Sequence, residues 1–296
     1  MRIKNVEKRT KPSSPERQKH LMGAPQAVIA LALDHPDGHV IPFHWHSRAQ
    51  LLYASAGVMT VTTGSGVWVL PPLRAMWVPA LTEHQIRASG HLSMRTLYIK
   101  PDAVLDFPPS CRIVSVSALL RELIVYSTTL SRFYEPGGHA GRIMSLILDL
   151  IRFRDPVPLD LPIPRDPRLR KIFDQMSGHP DDGRTIEEWG ARVGATGRTL
   201  SRLFRAETGM SFHQWRQQLR LLAAMRLLGQ GEPVTNIALD VGYSSLSAFV
   251  SVFRKALGVT PGRYFRSDTA ARSGAAGAKG ALSPWPDRTF KPLSGG

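Results

Sequence analysis

The sequence has little cysteine, no long apolar run and no secretion signal. Its 296 residues include one cysteine, Cys111, which excludes an intrachain disulfide framework and is typical of a reducing compartment. No stretch approaches the roughly 18 consecutive apolar residues that a membrane-spanning helix needs. The basic first 20 residues lack the apolar core of a signal peptide. We therefore expect a cytoplasmic protein that does not enter a membrane.

Acidic residues are too few to balance the basic ones, and the net charge is +15. The excess is segregated: residues 1–20 carry +5, residues 21–164 carry +1, residues 165–266 carry +7 and residues 267–296 carry +2. A charge that served only solubility would not be distributed in this way. The pattern predicts that the basic part contacts phosphate, while the neutral middle part binds a different ligand.

Composition divides the chain into two domains, a linker and two tails. Residues 1–24 and 267–296 lack apolar periodicity and are predicted to be disordered. Residues 25–154 and 166–266 are predicted to form the two domains. The Pro-rich segment 155–165 between them predicts an extended linker.

The first domain combines β-like runs with two amphipathic stretches. Short runs of apolar residues between positions 26 and 99, separated by Gly, Pro, Asp and His, predict a small barrel or sandwich. Apolar residues at helical spacing in 117–132 and 139–154 predict two helices. These helices should cap the barrel, and they could also form the seam of a homodimer.

The second domain contains one short pattern twice, at a constant offset of 49 residues. The matched residues are Leu200 with Phe249, Leu203 with Val252, Phe204 with Phe253, Arg205 with Arg254 and Gly209 with Gly258. Each set follows a shorter apolar pattern and a Val-Gly step. A short helix, a glycine-bearing turn and a second helix are the layout of a helix-turn-helix. The pattern predicts two such units, joined by one helix over about 211–228 that sets their spacing.

The second helix of each unit is a candidate recognition helix for double-stranded DNA. The exposed face of the first is predicted to present Arg198, Thr199, Ser201, Arg202 and Arg205. Guanidinium groups at the start of such a helix can pair with guanine or with phosphate. The face of the second is predicted to present Ser245, Leu246, Ser247, Val250, Ser251 and Arg254. Because that face is mostly uncharged, we expect the first helix to specify sequence and the second to anchor and read shape.

The segment 237–266 reads IALDVGYSSLSAFVSVFRKALGVTPGRYFR, and it resembles the signature of the DNA-binding domain of AraC-family transcription regulators. The resemblance implies two sets of base-facing residues: Arg198, Ser201 and Arg202 in the first unit, and Leu246, Ser247, Val250 and Ser251 in the second. It implies promoter DNA and a small-molecule effector as partners, with RNA polymerase and a second copy of the chain as further ones. Both activation and repression remain open.

The first domain has its own histidine spacing. His44-Trp45-His46 is followed by Gln50, and His84 ends a later run. This spacing resembles the two motifs of cupin barrels, in which three histidines and a glutamate bind a divalent ion. Gln50 stands here at the glutamate position, and Leu81 at the position of a motif glycine.

Alternation along one strand points His44 and His46 into the barrel, where His84 could join them. Three imidazoles are an adequate site for zinc or a similar divalent ion. The alternative is a polar pocket that hydrogen-bonds an effector without a metal, and no cofactor is assigned with certainty. The aromatic residues nearby are expected to fill the core: Trp45, Tyr53, Trp68 and Trp77.

Together these patterns predict an α+β protein of two domains, a cupin-like β-barrel with capping helices followed by an all-α double helix-turn-helix. The predicted function is that of a sequence-specific transcription regulator, not an enzyme, whose N-terminal domain senses a small molecule or a metal. One alternative is a metal-dependent cupin enzyme, such as a dioxygenase or isomerase, which would turn over a substrate. Another is a nucleoid-type protein that binds any DNA by charge. No catalytic residue is assigned.

Overall fold

The structure, a computed structural model, describes residues 22–153 and 159–264. The predictions for the tails fall outside these ranges except at residues 22–24. The strands are β1 (Val28–His35), β2 (Val40–His44), β3 (Ala49–Thr63), β4 (Gly66–Leu70), β5 (Arg74–Val78), β6 (His84–Ile99), β7 (Arg112–Ser115) and β8 (Asp160–Pro162). The helices are α1 (Ala118–Ser127), α2 (His139–Leu150), α3 (Pro167–Gly178), α4 (Ile186–Val193), α5 (Gly197–Thr208), α6 (Phe212–Gln230), α7 (Val234–Asp240) and α8 (Leu246–Leu257).

Two long strands, β3 and β6, pair antiparallel at the centre of the N-terminal sheet. Their register shifts near Gly57 and Gly90, which both have positive φ. A Cβ on Gly57 would lie 2.5 Å from the carbonyl oxygen of His91, so only glycine permits this bend. The bend divides the sheet into two halves. β1, β5 and β7 belong to the first half, and β2, β4 and β8 to the second.

The two halves enclose an apolar interior, as a barrel would. This interior is filled by residues such as Leu52, Met59, Met76, Ile86 and Met94. Among the described residues, the strand pairings follow an open path and do not complete a ring. The prediction of two domains in an α+β fold, with a sheet-rich N-terminal domain and a helical C-terminal domain, is confirmed.

Helices α1 and α2 cover the outer face of the first half of the sheet. Leu120 and Ile124 of α1, with Met144 and Ile147 of α2, are buried against that face. The capping role predicted from the apolar spacing is therefore confirmed. α1 begins after the N-cap Ser117 and ends at Ser127, shorter than the predicted 117–132. Leu119, Tyr126 and Leu146 remain exposed on the pair, and the homodimer seam stays a prediction.

The described part of the segment predicted as a linker, from residue 159 onward, joins the sheet. β8 pairs antiparallel with the edge strand β4, and Leu159 and Leu161 are buried. Residues 154–158 lie outside the described ranges. The apolar residues between the prolines explain the difference from a free spacer, because an extended segment beside an open edge can pair and bury them.

The helical domain is built around α6. This helix of 19 residues begins with a capping box between Ser211 and Gln214 and ends at Gly231 with φ of 88°. Trp215, Leu219, Leu222 and Met225 are buried as the predicted stripe requires, and Leu221, Ala223 and Ala224 are buried beside them. α6 is therefore enclosed on more than one side. No helix in the described ranges is both long and apolar enough to cross a bilayer.

Candidate DNA-binding face and histidine cluster

The first helix-turn-helix consists of α4 and α5. α4 begins with a capping box between Thr185 and Glu188, and it ends at Gly194 in the left-handed conformation. A Cβ on Gly190 would lie 2.4 Å from the carbonyl oxygen of Ala195, so glycine allows the two helices to approach closely. α5 follows with its apolar residues Leu200 and Phe204 fully buried. These contacts fix the orientation of α5, and with it the side that faces solvent.

The solvent side of α5 presents the predicted polar residues. Arg198, Ser201, Arg202 and Arg205 are exposed. Among the described residues, no side chain or carbonyl pairs with these three guanidinium groups. Thr199 differs, because it is partly buried and its hydroxyl lies 3.0 Å from that of Thr196, the N-cap residue of α5. The exposed guanidinium groups are thus free to bind bases or phosphates, whereas Thr199 supports the start of the helix.

The second helix-turn-helix consists of α7 and α8. Gly242 in the turn has φ of 82°, and Phe249 and Phe253 bury the inner side of α8. The solvent side carries Ser245, Leu246, Ser247, Ser251 and Arg254, with Val250 partly buried. Leu246 is 41 % exposed at the start of the helix. The two candidate recognition helices therefore present different chemistry, one with three arginines and one mainly with hydroxyl and apolar groups.

Arg220 of α6 joins the two units, a role that was not predicted from the sequence. Its guanidinium donates to the carbonyls of Pro180, Asp181 and Asp182, which precede α4. It also donates to the carbonyl of Gly242, 2.8 Å away in the turn of the second unit. The signal that could have revealed it is an arginine within a helix whose other faces are largely apolar. Arg220 holds both helix-turn-helix units to the middle of α6.

The structure brings His44, His46, His84 and Gln50 together at one end of the sheet interior. His44 and His84 are partners in the β2–β6 ladder, and the three rings each offer a nitrogen within 4.8 Å of the others. The Oε1 atom of Gln50 lies 3.0 Å from Nε2 of His46 and 3.1 Å from Nε2 of His84. His46, His84 and Gln50 are buried, and His44 is partly exposed. The predicted spacing thus converges in space.

Hydrogen bonds fix the tautomers of the three histidines. Each Nδ1–H donates to a backbone carbonyl: that of Pro42 from His44, of Arg48 from His46 and of Thr82 from His84. Burial lowers the pKa of His46, and it lowers the pKa of His84 to about 4. These two rings are therefore neutral at pH 7, and each leaves a lone pair on Nε2.

The cluster places lone pairs against an amide oxygen. The amide nitrogen of Gln50 donates to Thr96 at 2.8 Å, so its oxygen faces the two Nε2 lone pairs. Such acceptors repel one another unless a cation lies between them. Three imidazole nitrogens and one oxygen form a donor set that suits zinc or a similar ion. A reversed Gln50 amide would instead donate to both rings and accept from Thr96, which fits the metal-free alternative.

The aromatic residues near the cluster are only partly in the core. Tyr53, Trp68 and Trp77 are buried as predicted, but Trp45 is 60 % exposed. The prediction for Trp45 is therefore wrong. Because successive side chains of an extended segment point to opposite sides, a residue between two inward histidines faces outward. Leu81, at the motif glycine position, adopts a positive φ of 62°.

Comparisons with known proteins place the chain in a family. Residues 26–190 match the model of the AraC-like ligand binding domain, and residues 189–267 match that of a helix-turn-helix domain. The HTH-type transcriptional regulator NimR of Escherichia coli (strain K12) is 34% identical over 223 residues, which cover 75% of this chain and 81% of NimR. RipA of Corynebacterium glutamicum, also an HTH-type transcriptional regulator, is 26% identical over 219 residues, covering 74% of this chain and 62% of RipA.

Among solved structures, the DNA-binding domain of AdpA in complex with a target DNA aligns with 37% of this chain and 98% of that domain, at 31% identity and a TM-score of 0.34. The family assignment rests on the ligand-binding-domain match, which extends over more than half of the chain, and on the similarity to NimR. The chain therefore belongs to the AraC family of transcription regulators, with an AraC-like ligand-binding domain followed by a DNA-binding helix-turn-helix domain.

Proposed function

We propose that this regulator reads promoter DNA mainly through α5, while α8 anchors the protein on a neighbouring groove. The observation that carries the proposal is the contrast between the two exposed faces. Arg198 and Arg202 lie one turn apart near the start of α5 and are free of partners among the described residues. The residues at the equivalent places of α8 are Ser247 and Ser251, and a serine offers no bidentate guanidinium pairing with a base.

The spacing of α5 and α8 also supports binding to two neighbouring grooves. α6 has 19 residues and joins them, which corresponds to about 28 Å at 1.5 Å per residue. Recognition helices that enter successive major grooves are separated by roughly 34 Å. A rigid helix of this length, tied to both units by Arg220, suits two contacts on one side of a duplex.

Arg202→Ala tests the reading of bases. We expect operator binding to weaken by about 1–3 kcal/mol and the sequence preference to relax, because a bidentate contact to a base is lost. The measurement is a binding titration of the full chain on operator and on shuffled DNA, with the operator located by footprinting of neighbouring promoters. Ser251→Ala on α8 is the matched change and should cost less. Unchanged affinity and preference for Arg202→Ala would remove this residue from base reading.

We further propose that the N-terminal domain binds its effector at His44, His46, His84 and Gln50, with a divalent ion of the zinc type held there. The facing lone pairs of the buried rings support this assignment. Gln50 stands where the metal-binding glutamate of such a dioxygenase or isomerase would be, and a neutral amide is a weaker ligand than a carboxylate. We therefore propose a sensor and not an enzyme, in a chain that acts in the cytoplasm with RNA polymerase and a second copy as further partners.

Elemental analysis of the purified full chain tests the metal. We expect about one zinc-type ion per chain in the wild type and none in His44→Ala/His46→Ala, because two of three imidazole ligands are lost. His35→Ala/His39→Ala is the matched control, since these rings stack 4.4 Å apart outside the cluster. A metal-free wild type would favour direct hydrogen bonding of an organic effector. Metal together with turnover of a substrate would favour the enzyme alternative.

A further inference from the structure

The helical domain meets the sheet at one point of very close contact. A Cβ on Gly90 of β6 would lie 2.0 Å from the carbonyl oxygen of Gly229, near the end of α6. A Cβ on Gly229 would lie 2.4 Å from Val58 of β3. Beside this contact, Asp37 accepts hydrogen bonds from the Gly90 amide at 2.7 Å and from the Gln230 side chain at 3.3 Å. α6 thus lies directly on the outer face of the second half of the sheet.

Two arginines flank this contact, one from each domain. Arg226 precedes Gly229 by three residues and shares its face of α6, and Arg87 precedes Gly90 by three residues on β6. Burial lowers the pKa of Arg226, and the charge of Arg87 lowers it further. In residues 22–153 and 159–264, neither guanidinium has an ion pair or a hydrogen bond. The interface therefore brings two positive charges near each other, and no ion pair within the described residues offsets their repulsion.

Thr60 adds a third donor in the same place. It is the cross-strand partner of Arg87, so the two side chains project from the same face of the sheet. Its side chain is 6% exposed, and its hydroxyl is buried without a hydrogen-bond partner in the part of the chain that the structure describes. Buried polar groups are nearly always paired, and an unpaired one indicates a missing partner.

We propose that Arg87, Arg226 and Thr60 form a binding site for a doubly charged oxyanion of the phosphate class. Guanidinium forks and a hydroxyl are the groups that bind such anions best. The site lies at the junction of α6 and the sheet, on elements other than α5 with its free arginines. An anion bound there contacts both domains, neutralises the repulsion between the arginines and stabilises the docked arrangement.

Thermal unfolding of the full chain in inorganic phosphate, against chloride at equal ionic strength, tests the site. We expect a saturable rise of Tm in the wild type and in Arg112→Gln, an exposed arginine on β7. Arg226→Gln and Arg87→Gln should require at least about tenfold more phosphate for the same rise, and Thr60→Val should also weaken the response. Without phosphate, Arg226→Gln should unfold at the same or a higher temperature, because a repulsion is removed.

Three results would overturn the proposal. The first is a wild type whose Tm does not rise saturably with phosphate. The second is a response that survives unchanged in both Arg226→Gln and Arg87→Gln, which would locate phosphate elsewhere, for example on the α5 arginines. The third is an acetate response equal to that of phosphate, which would exclude selection of a dianion.

Discussion

Single residues in the N-terminal domain show how burial selects a protonation state. His84 is fully buried between β2 and β3, and its pKa falls to about 4 from the ordinary value of 6.5. The ring donates from Nδ1 to the Thr82 carbonyl. Nε2 therefore carries no proton, and its lone pair is directed at Gln50. A neutral imidazole with one fixed proton is the form that binds a metal or accepts a hydrogen bond from an effector.

The metal-free protein should lose stability on acidification. Below pH 6.5 the unfolded chain protonates His84, whereas the folded chain does not until about pH 4. The contribution of neutral His84 to the free energy of unfolding is therefore fully present above pH 6.5. It is lost as the pH falls from 6.5 to 4, and the lowering of the His84 pKa corresponds to about 3 kcal/mol. Urea unfolding at pH 7 and pH 4.5 measures the loss.

His84→Gln should reduce that loss, because the variant has no ring to protonate at this position. His213→Gln, at an exposed position of α6, is the control and should leave the loss unchanged. The same pH dependence in His84→Gln and the wild type would contradict the assignment.

At this scale the sequence predicted which histidines meet, but not how they are held. Spacing on the strands was sufficient for His44, His46 and His84, because alternation decides which side chains share a face. The role of Thr96 in orienting Gln50 depends on a partner 46 residues away, and a local pattern contains no information on such a contact.

At the scale of elements, the two helix-turn-helix units depend on one shared helix. Their local parts were readable from the sequence, since N-caps, glycine turns and apolar spacing all lie within a few residues of each other. The strand β8 was not predicted, because a short run between prolines does not show which edge it will pair with. The contacts of Arg220 were missed for the same reason, as their acceptors lie 22 to 40 residues away.

Arg220→Lys should weaken the helical domain although it keeps the charge. A lysine ammonium cannot reach the carbonyls on both sides that the guanidinium fork joins. We expect a loss of about 2–3 kcal/mol in the free energy of unfolding, and weaker operator binding, since the two units lose their common orientation. Urea unfolding and a binding titration measure these effects.

Arg216→Lys is the matched control, because Arg216 makes one hydrogen bond within the described ranges, to the Arg184 carbonyl at 3.0 Å. Equal losses in the two variants would show that Arg220 has no special role in joining the units.

At the scale of the whole molecule, the two domains pack against each other and are connected by more than the linker. Gly90 and Gly229 touch through their backbones, and β8 lies between β4 and α6. Gln218 of α6 donates to the carbonyl of Asp160 in β8 at 2.6 Å. The division into two domains was visible in the composition, but their docking depends on a few long-range contacts that composition does not encode.

Gly229→Ala should loosen this docking without damaging α6 itself. Alanine favours a helix over glycine by roughly 1 kcal/mol, yet its Cβ would lie 2.4 Å from Val58. We expect a larger radius of gyration in small-angle scattering and separate unfolding transitions in calorimetry. Gly178→Ala is the control, because no other described residue lies within 4 Å of a Cβ at that helical position. A variant as compact and cooperative as the wild type would argue against a tight interface at Gly229.

The apolar core around α6 contains residues from both domains. Val58 and Val69 of the sheet, with Leu159 and Leu161 beside β4, belong to the same apolar cluster as Trp215 and Leu222. A fragment that starts at residue 166 would uncover the apolar side of α6 that these residues shield, and exposed patches of this kind promote self-association. A chimeric regulator that receives a foreign N-terminal domain should therefore also receive the residues of α6 that contact that domain. The boundary between donor and recipient sequence then follows the shared core and not the linker.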